Sequence, residues 1–352
     1  MQQTQTITNL RALNGRAYDW AVAAGSAWLL AGLGLDAWAH HHFTSTLESP
    51  FTPWHAVLYS GFVALAAVLA WPWVRTRTMA SIPDGYRPSV AGMALFALAA
   101  PADIVWHLLF GIEVSVEELM SPTHLLLFLG GLLMASGPLR AAWCRAGEDT
   151  APLTALLSLA FVTVVLQILA VEYANVFALP WPVGEFDIPA PDPATGIGVE
   201  DTASLPPEIG QVIGTAGILL QAAVFAGPIL FALRRWRLPY GAVTLLFIVL
   251  TAFGALIHDQ PRFIAPAVLA GLVTDTLIAI TRPSAESPAA LRTIAFAAPA
   301  VLYTGYFTTL ALTDRLAWPV EVWSGSILLA GGVGLLSSYL LLPWRTPEPR
   351  HG

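Results

Sequence analysis

The chain has 352 residues, 56% of them hydrophobic and only 11% charged, where a soluble domain carries about 25% charged residues. Apolar runs of about 20 residues recur along its length, which is the span a bilayer demands, and they exclude an ordinary soluble enzyme. The formal charge of −7 means little as a total because the two signs are segregated, and no P-loop or dinucleotide fingerprint supports a nucleotide or nucleic-acid partner.

In chain order, about ten apolar segments fall near residues 18–40, 52–74, 88–110, 121–140, 151–173, 209–233, 239–258, 262–281, 289–312 and 319–344. The expected fold class is an all-α integral membrane protein whose helices pair as antiparallel hairpins. No removable signal peptide opens the sequence. All sixteen basic residues are arginine. They cluster at Arg11/Arg16, Arg75/Arg77/Arg87, Arg140/Arg145, Arg234/Arg235/Arg237, Arg282/Arg292 and Arg345/Arg350. Acidic connections alternate with them: Glu48, Glu113/Glu117/Glu118, Glu185 to Glu208, Asp259, Asp314 and Glu321. Only Arg262 and Arg315 fall on the acidic side, so the positive-inside rule places both termini in the cytoplasm and the acidic loops outside. The implied location is the cell membrane, crossed many times.

Two early stretches say nearly the same thing. One runs Asp36-Ala-Trp-Ala-His40, Glu48, then Thr52-Pro-Trp-His55; the other runs Asp103-Ile-Val-Trp-His107, Glu117-Glu118, then Ser121-Pro-Thr-His124. An Asp and a His four apart share one helix face, and a histidine opening the next antiparallel helix can swing back onto it. Three nitrogen and oxygen donors converging at one end of a hairpin can hold a metal, here twice. Residues 1–145 therefore read as a metal-binding membrane region with two repeated hairpins. Residues 146–352 supply six further spans and a long irregular outer loop near 181–208, either a lid or a solvated linker.

Ionisable groups within spans usually face a cavity, a partner or a cofactor. Seven of the eight histidines lie at the outer side: His40, His41, His42, His55, His107, His124 and His258; His351 does not. His41, His42 and His258 read as helix C-terminal caps, which the macrodipole favours. His55 and His124 stand at helix starts, where a cation is disfavoured, so a neutral ligand or a structural Asp–His network is expected. Two imidazoles and a carboxylate suit Cu(II), Zn(II) or Fe(II). Cys144 is the one cysteine and Met120 the one nearby methionine, which argues against Cu(I) transfer. A set of three ligands leaves a coordination position open. Glu48, Glu117, Glu118 and Glu172 are either carboxylates that orient imidazole N–H groups or ordinary acids. Trp38, Trp54, Trp106 and Tyr59 flank the ligands, as interfacial aromatics do.

These stretches resemble the C subunit of the copper membrane monooxygenases, which oxidise ammonia and methane. There a helix ends Asp-x-x-x-His, an acidic turn follows, and Thr-Pro-Ser-His opens a helix with Phe-Tyr-Gly. The counterparts are Asp36, His40, Glu48, Thr52-Pro53-Trp54-His55 and Leu58-Tyr59-Ser60-Gly61. The family's second motif, an Asn three residues before a His, then Glu-Glu-Leu and Pro-x-His, is matched by Asp103, His107, Glu117-Glu118-Leu119 and Pro122-Thr123-His124. The resemblance covers roughly residues 30–130 and departs in its longer gaps between histidines, in Asp103 for Asn, and in about four additional helices. It implies two neighbouring copper sites and an oxygen-activating function toward a small hydrophobic substrate. A quinol or other reductant, and partner subunits or a homo-oligomer, would complete it. The alternatives are a metal transporter or delivery protein, with Asp275 the clear candidate on an inward path, a non-catalytic metal-stabilised subunit, or zinc hydrolysis with Glu48 or Glu118 as base.

Overall fold

A computed structural model describes residues 2–43, 51–111, 119–145, 152–183, 206–284, 287–313 and 316–341, with the side chains before residue 15 and that of Tyr173 excepted. Glu48, Glu113, Glu117, Glu118, Glu185, Asp314, Arg315, Arg345, Arg350, His351 and most of the 181–208 loop lie outside these residues.

The described residues hold helices and no strand. In order they are α1 (Gln2–His42), α2 (Pro53–Thr76), α3 (Arg87–Phe110), α4 (Pro122–Ala135), α5 (Gly137–Cys144) and α6 (Pro152–Val171). These are followed by α7 (Pro207–Arg235), α8 (Ala242–Ile257), α9 (Ile264–Thr281), α10 (Pro288–Thr313) and α11 (Val320–Leu341). Nine helical stretches among the described residues are long and apolar enough to cross a bilayer, with α4 and α5 counted as one. The expected tenth span, near 239–258, is the 16-residue α8. At about 1.5 Å per residue it reaches roughly 24 Å, short of the ~30 Å hydrocarbon core.

Proline chemistry sets several helix starts. Pro53 and Pro122 open α2 and α4 directly after a hydroxyl-bearing N-cap, where the missing N–H leaves nothing unsatisfied. Pro138, second in α5, coincides with the break at Ser136 that separates α4 from α5.

Backbone contacts divide the chain into two compact units. The first contains Met1–Ala170, Arg235–Ala242 and Leu256–His258; the second contains Val171–Arg234, Val243–Ala255 and Asp259–Gly352. In the first, α1 packs along α2 and α3 along α4. Each pair meets at glycines. A Cβ on Gly32 would stand 2.7 Å from the Leu58 Cα, and one on Gly61 2.8 Å from the Leu29 Cα. A Cβ on Gly92 would stand 2.7 Å from the Gly130 carbonyl oxygen, and one on Gly130 2.9 Å from that of Gly92. Small residues at such crossings let backbones approach closely, and this brings the His55 and His124 helices against their Asp-bearing partners.

The far end of the first unit is clasped by charge. Buried Asp19 accepts from the Tyr86 hydroxyl at 2.6 Å and from both terminal nitrogens of Arg145. Burial, then the Asp19 charge, pushes the Tyr86 phenol well above its ordinary range, and the hydrogen bond to Asp19 raises the Arg145 guanidinium further. Arg140 donates to the Gly85 carbonyl at 2.8 Å and to Ser89 Oγ at 2.8 Å. The basic cluster expected to set topology therefore also ties α1, α3 and α5 together.

The second unit is built on aromatic packing, with Phe177, Phe225, Phe247, Phe263 and Tyr303 fully buried. Its polar centre is Asn175, whose side-chain oxygen accepts from Gln221 Nε2 at 2.5 Å and from the Phe177 amide at 3.1 Å. Asp275 on α9 receives three donors from the start of α8: Val243 N at 3.2 Å, Thr244 N at 2.9 Å and Thr244 Oγ1 at 2.7 Å. It caps a helix N-terminus across the helix pair.

Candidate metal centre

Both candidate triads form in the first unit, each at a helix end and a helix start. Asp36 and His40 lie in the last turns of α1, and His55 is the third residue of α2. Asp103 and His107 lie in the last turns of α3, and His124 is the third residue of α4. One donor atom from each residue can be chosen so that the three of a triad lie within 4.8 Å of one another.

Local sequence explains why the third candidate ligand points inward. Thr52, the N-cap of α2, accepts from the His55 amide at 3.2 Å and lies 2.7 Å from His55 Nδ1. Ser121 does the same for His124, at 3.4 Å to the amide and 2.8 Å to Nδ1. This resembles a capping box with histidine in the place of the usual Glu or Gln. With Nδ1 held by the cap, Nε2 of each ring turns to the carboxylate.

In the first triad Asp36 Oδ2 lies 3.8 Å from His40 Nε2 and 3.6 Å from His55 Nε2. In the second, Asp103 Oδ2 lies 3.3 Å from His107 Nε2 and 3.5 Å from His124 Nε2. All four distances exceed the about 2.7–3.2 Å of an N–H···O bond. Donors bound side by side at roughly 2.0–2.1 Å around one divalent ion stand about 3.0–3.4 Å apart. The observed spacings lie within a few tenths of an ångström of that range. In both triads the imidazole centroids are 5.6 Å apart.

The surroundings differ. Thr123 donates to Asp103 Oδ1 at 2.6 Å, whereas Asp36 Oδ1 is buried with no hydrogen-bond partner among the described residues. The residue matching Thr123 in the first triad is Trp54, which stacks on Phe43 at 5.9 Å and meets Trp38 edge-on at 6.0 Å. The Tyr59 ring lies 5.8 Å from that of His55.

The other expected residues fall in different places. His42 Nδ1 meets the Trp38 carbonyl at 2.7 Å, as a C-terminal cap does, and His41 packs edge-on against His258 at 4.3 Å. Glu172 begins a 3-10 turn in the second unit. Sequence reasoning quoted Thr123 within a motif but gave it no role, and it passed over Gly92 and Gly130. The repeat offset was the available signal, since Gly61 and Gly130 each follow their histidine by six positions.

The chain is thus a helical protein of membrane-spanning character, with two Asp-His-His groups that could each hold a metal ion. No protein-family model, curated protein or solved structure matches it.

Proposed function

We propose that the chain is a copper-binding integral membrane protein, a remote relative of the copper membrane monooxygenase C subunit. In this reading it acts on a small hydrophobic substrate near the outer membrane face. The observation that carries it is the convergence of two imidazole nitrogens and one carboxylate oxygen, twice, with carboxylate–imidazole spacings close to those around a single ion. The donor set contains no thiolate and suits Cu(II), with zinc and iron as the alternatives.

Copper would supply the redox and dioxygen chemistry. The protein's own residues hold and orient. Thr52 and Ser121 fix the ring planes of His55 and His124, Asp36 and Asp103 supply the anionic donor, and Trp38, Trp54 and Phe43 pack as an apolar screen beside the first triad. A quinol or a partner subunit would act as reductant. A transporter is less well supported, because both oxygens of Asp275, the candidate for an inward path, are taken up by the α8 cap.

The proposed topology, helical hairpins with both termini cytoplasmic and the triads at the outer face, rests on the arginine distribution. Cys144, the single cysteine, is exposed. A membrane-impermeant maleimide should label it in inverted vesicles and not in intact cells; the reverse result would invert the topology.

The function is tested by metal analysis and EPR on the purified full chain beside a His55→Ala/His124→Ala variant. About two coppers per chain, a type 2 Cu(II) signal, and loss of both in the variant are expected, followed by reductant-dependent oxygen uptake. Stoichiometric zinc without an EPR signal would point to hydrolysis or transport. A chain that binds no metal would leave the six residues as a structural network.

A further inference from the structure

Arginines gather in both units, and the fold treats them differently. In the first unit Arg145 is neutralised by Asp19, and Arg140 donates to the Gly85 carbonyl and Ser89. In the second, Arg234 of α7 and Arg292 of α10 both close on the last three residues of α11. Arg234 donates to the Leu341 carbonyl. The Arg292 guanidinium lies over the Tyr339 ring, 4.1 Å from its centroid. Its buried Nε–H meets no acceptor, and neither arginine has a carboxylate beside it among the described residues.

One cation suffices to cap the carbonyls of a helix C-terminus. The second adds a like charge that the macrodipole does not require, so this end of α11 is short of an anion. A cation held over a ring keeps its outward N–H groups for an oxyanion, and the guanidinium fork suits phosphate.

The surface that continues from this point is apolar. Leu329, Gly332, Leu336 and Leu340 recur along one face of α11, at the spacing that aligns side chains on a helix. The three leucines are 54%, 59% and 78% exposed, and a Cβ on Gly332 would meet nothing within 4 Å. The glycine leaves a dent in a leucine ridge, a shape that an acyl chain fills. A soluble anion would use the same two arginines but would gain nothing from this stripe.

We propose that the Arg234, Arg292 and Tyr339 end of α11 binds a phospholipid of net negative headgroup. Its phosphate sits on the two guanidinium groups, and one acyl chain runs along the leucine stripe. The site belongs to the second unit and does not depend on the metal reading.

The test is native mass spectrometry of the detergent-solubilised full chain, loaded with phosphatidylglycerol or with phosphatidylcholine of the same acyl chains. Phosphatidylglycerol should be retained preferentially. Arg234→Gln and Arg292→Gln should each lower its retention about fivefold, the scale of one arginine at a membrane surface, and the pair about 25-fold. Gly332→Leu, whose Cβ is open, should weaken both lipids while leaving the fold intact. Inorganic phosphate at the lipid's concentration should displace neither. Equal retention of the two lipids, or an unchanged preference in the double variant, overturns the proposal. Unaltered lipid binding in Gly332→Leu overturns it as well, and so does displacement by inorganic phosphate, which would mark a site for a soluble anion. If an arginine variant does not fold, the preference of the parent chain and the effect of Gly332→Leu decide.

Discussion

Asp275 in the second unit and Asp36 in the first are buried almost equally, at 2% and 8% exposure, but their oxygens meet different neighbours. Asp275 is surrounded by donors, with two amides and a hydroxyl converging on its two oxygens. Among the described residues Asp36 has one oxygen without a hydrogen-bond partner and the other facing two imidazole nitrogens beyond hydrogen-bonding distance. A buried acid with its lone pairs filled is a structural element. One left short beside two histidines carries a cost in free energy that no hydrogen bond among the described residues offsets. Asp103 is intermediate, with one oxygen filled by Thr123 and one facing histidines.

The contrast can be broken by substitution, and the largest effect should come from the structural acid. Asp275→Ala strips the cap from α8 and leaves two buried amides unpaired; it should lower stability by about 3 kcal/mol. Metal uptake should be unchanged, read by thermal unfolding in detergent beside metal analysis. If Asp275→Ala loses metal instead, the acid belongs to a path and the transporter reading gains.

Gly61→Leu should come next, at about 2 kcal/mol. Any Cβ there meets the Leu29 backbone, so α1 and α2 must part and the first triad should lose its ion. The second triad, on a different helix pair, should keep its own. Equal loss at both sites would mean that the two triads share one ion.

The smallest and most discriminating pair is Asp36→Ala and Asp103→Ala in metal-free protein. Removing Asp36 deletes an unpartnered oxygen, so stability should rise by about 1 kcal/mol. Removing Asp103 orphans the Thr123 hydroxyl, so stability should fall by a similar amount. A drop in both would show that Asp36 has a structural partner in solution.

Much of the helical plan could be read from the residues. Prolines and hydroxyls before α2 and α4 marked their starts, and the i, i+4 spacing of Asp36 with His40 and Asp103 with His107 put each pair on one face. The segment near 239–258 was apolar enough to pass for a span. Its first turn is capped by Asp275, some thirty residues later, which a local pattern does not contain. Glu172, at the end of a span, reads from sequence as a partner for the imidazoles, and only long-range contacts assign it to the second unit.

The sequence by itself determined the solvent and the chemistry. Its apolar runs call for a bilayer, where backbone groups must bond within helices, and its two sets of Asp, His and His supply donors that could hold a metal. Only the tertiary structure decided that the two copies differ. Whether a hydroxyl reaches a carboxylate across two helices depends on a crossing set by paired glycines. The step from Thr123 to Trp54 became a difference between two sites once α3 had been packed against α4 and α1 against α2.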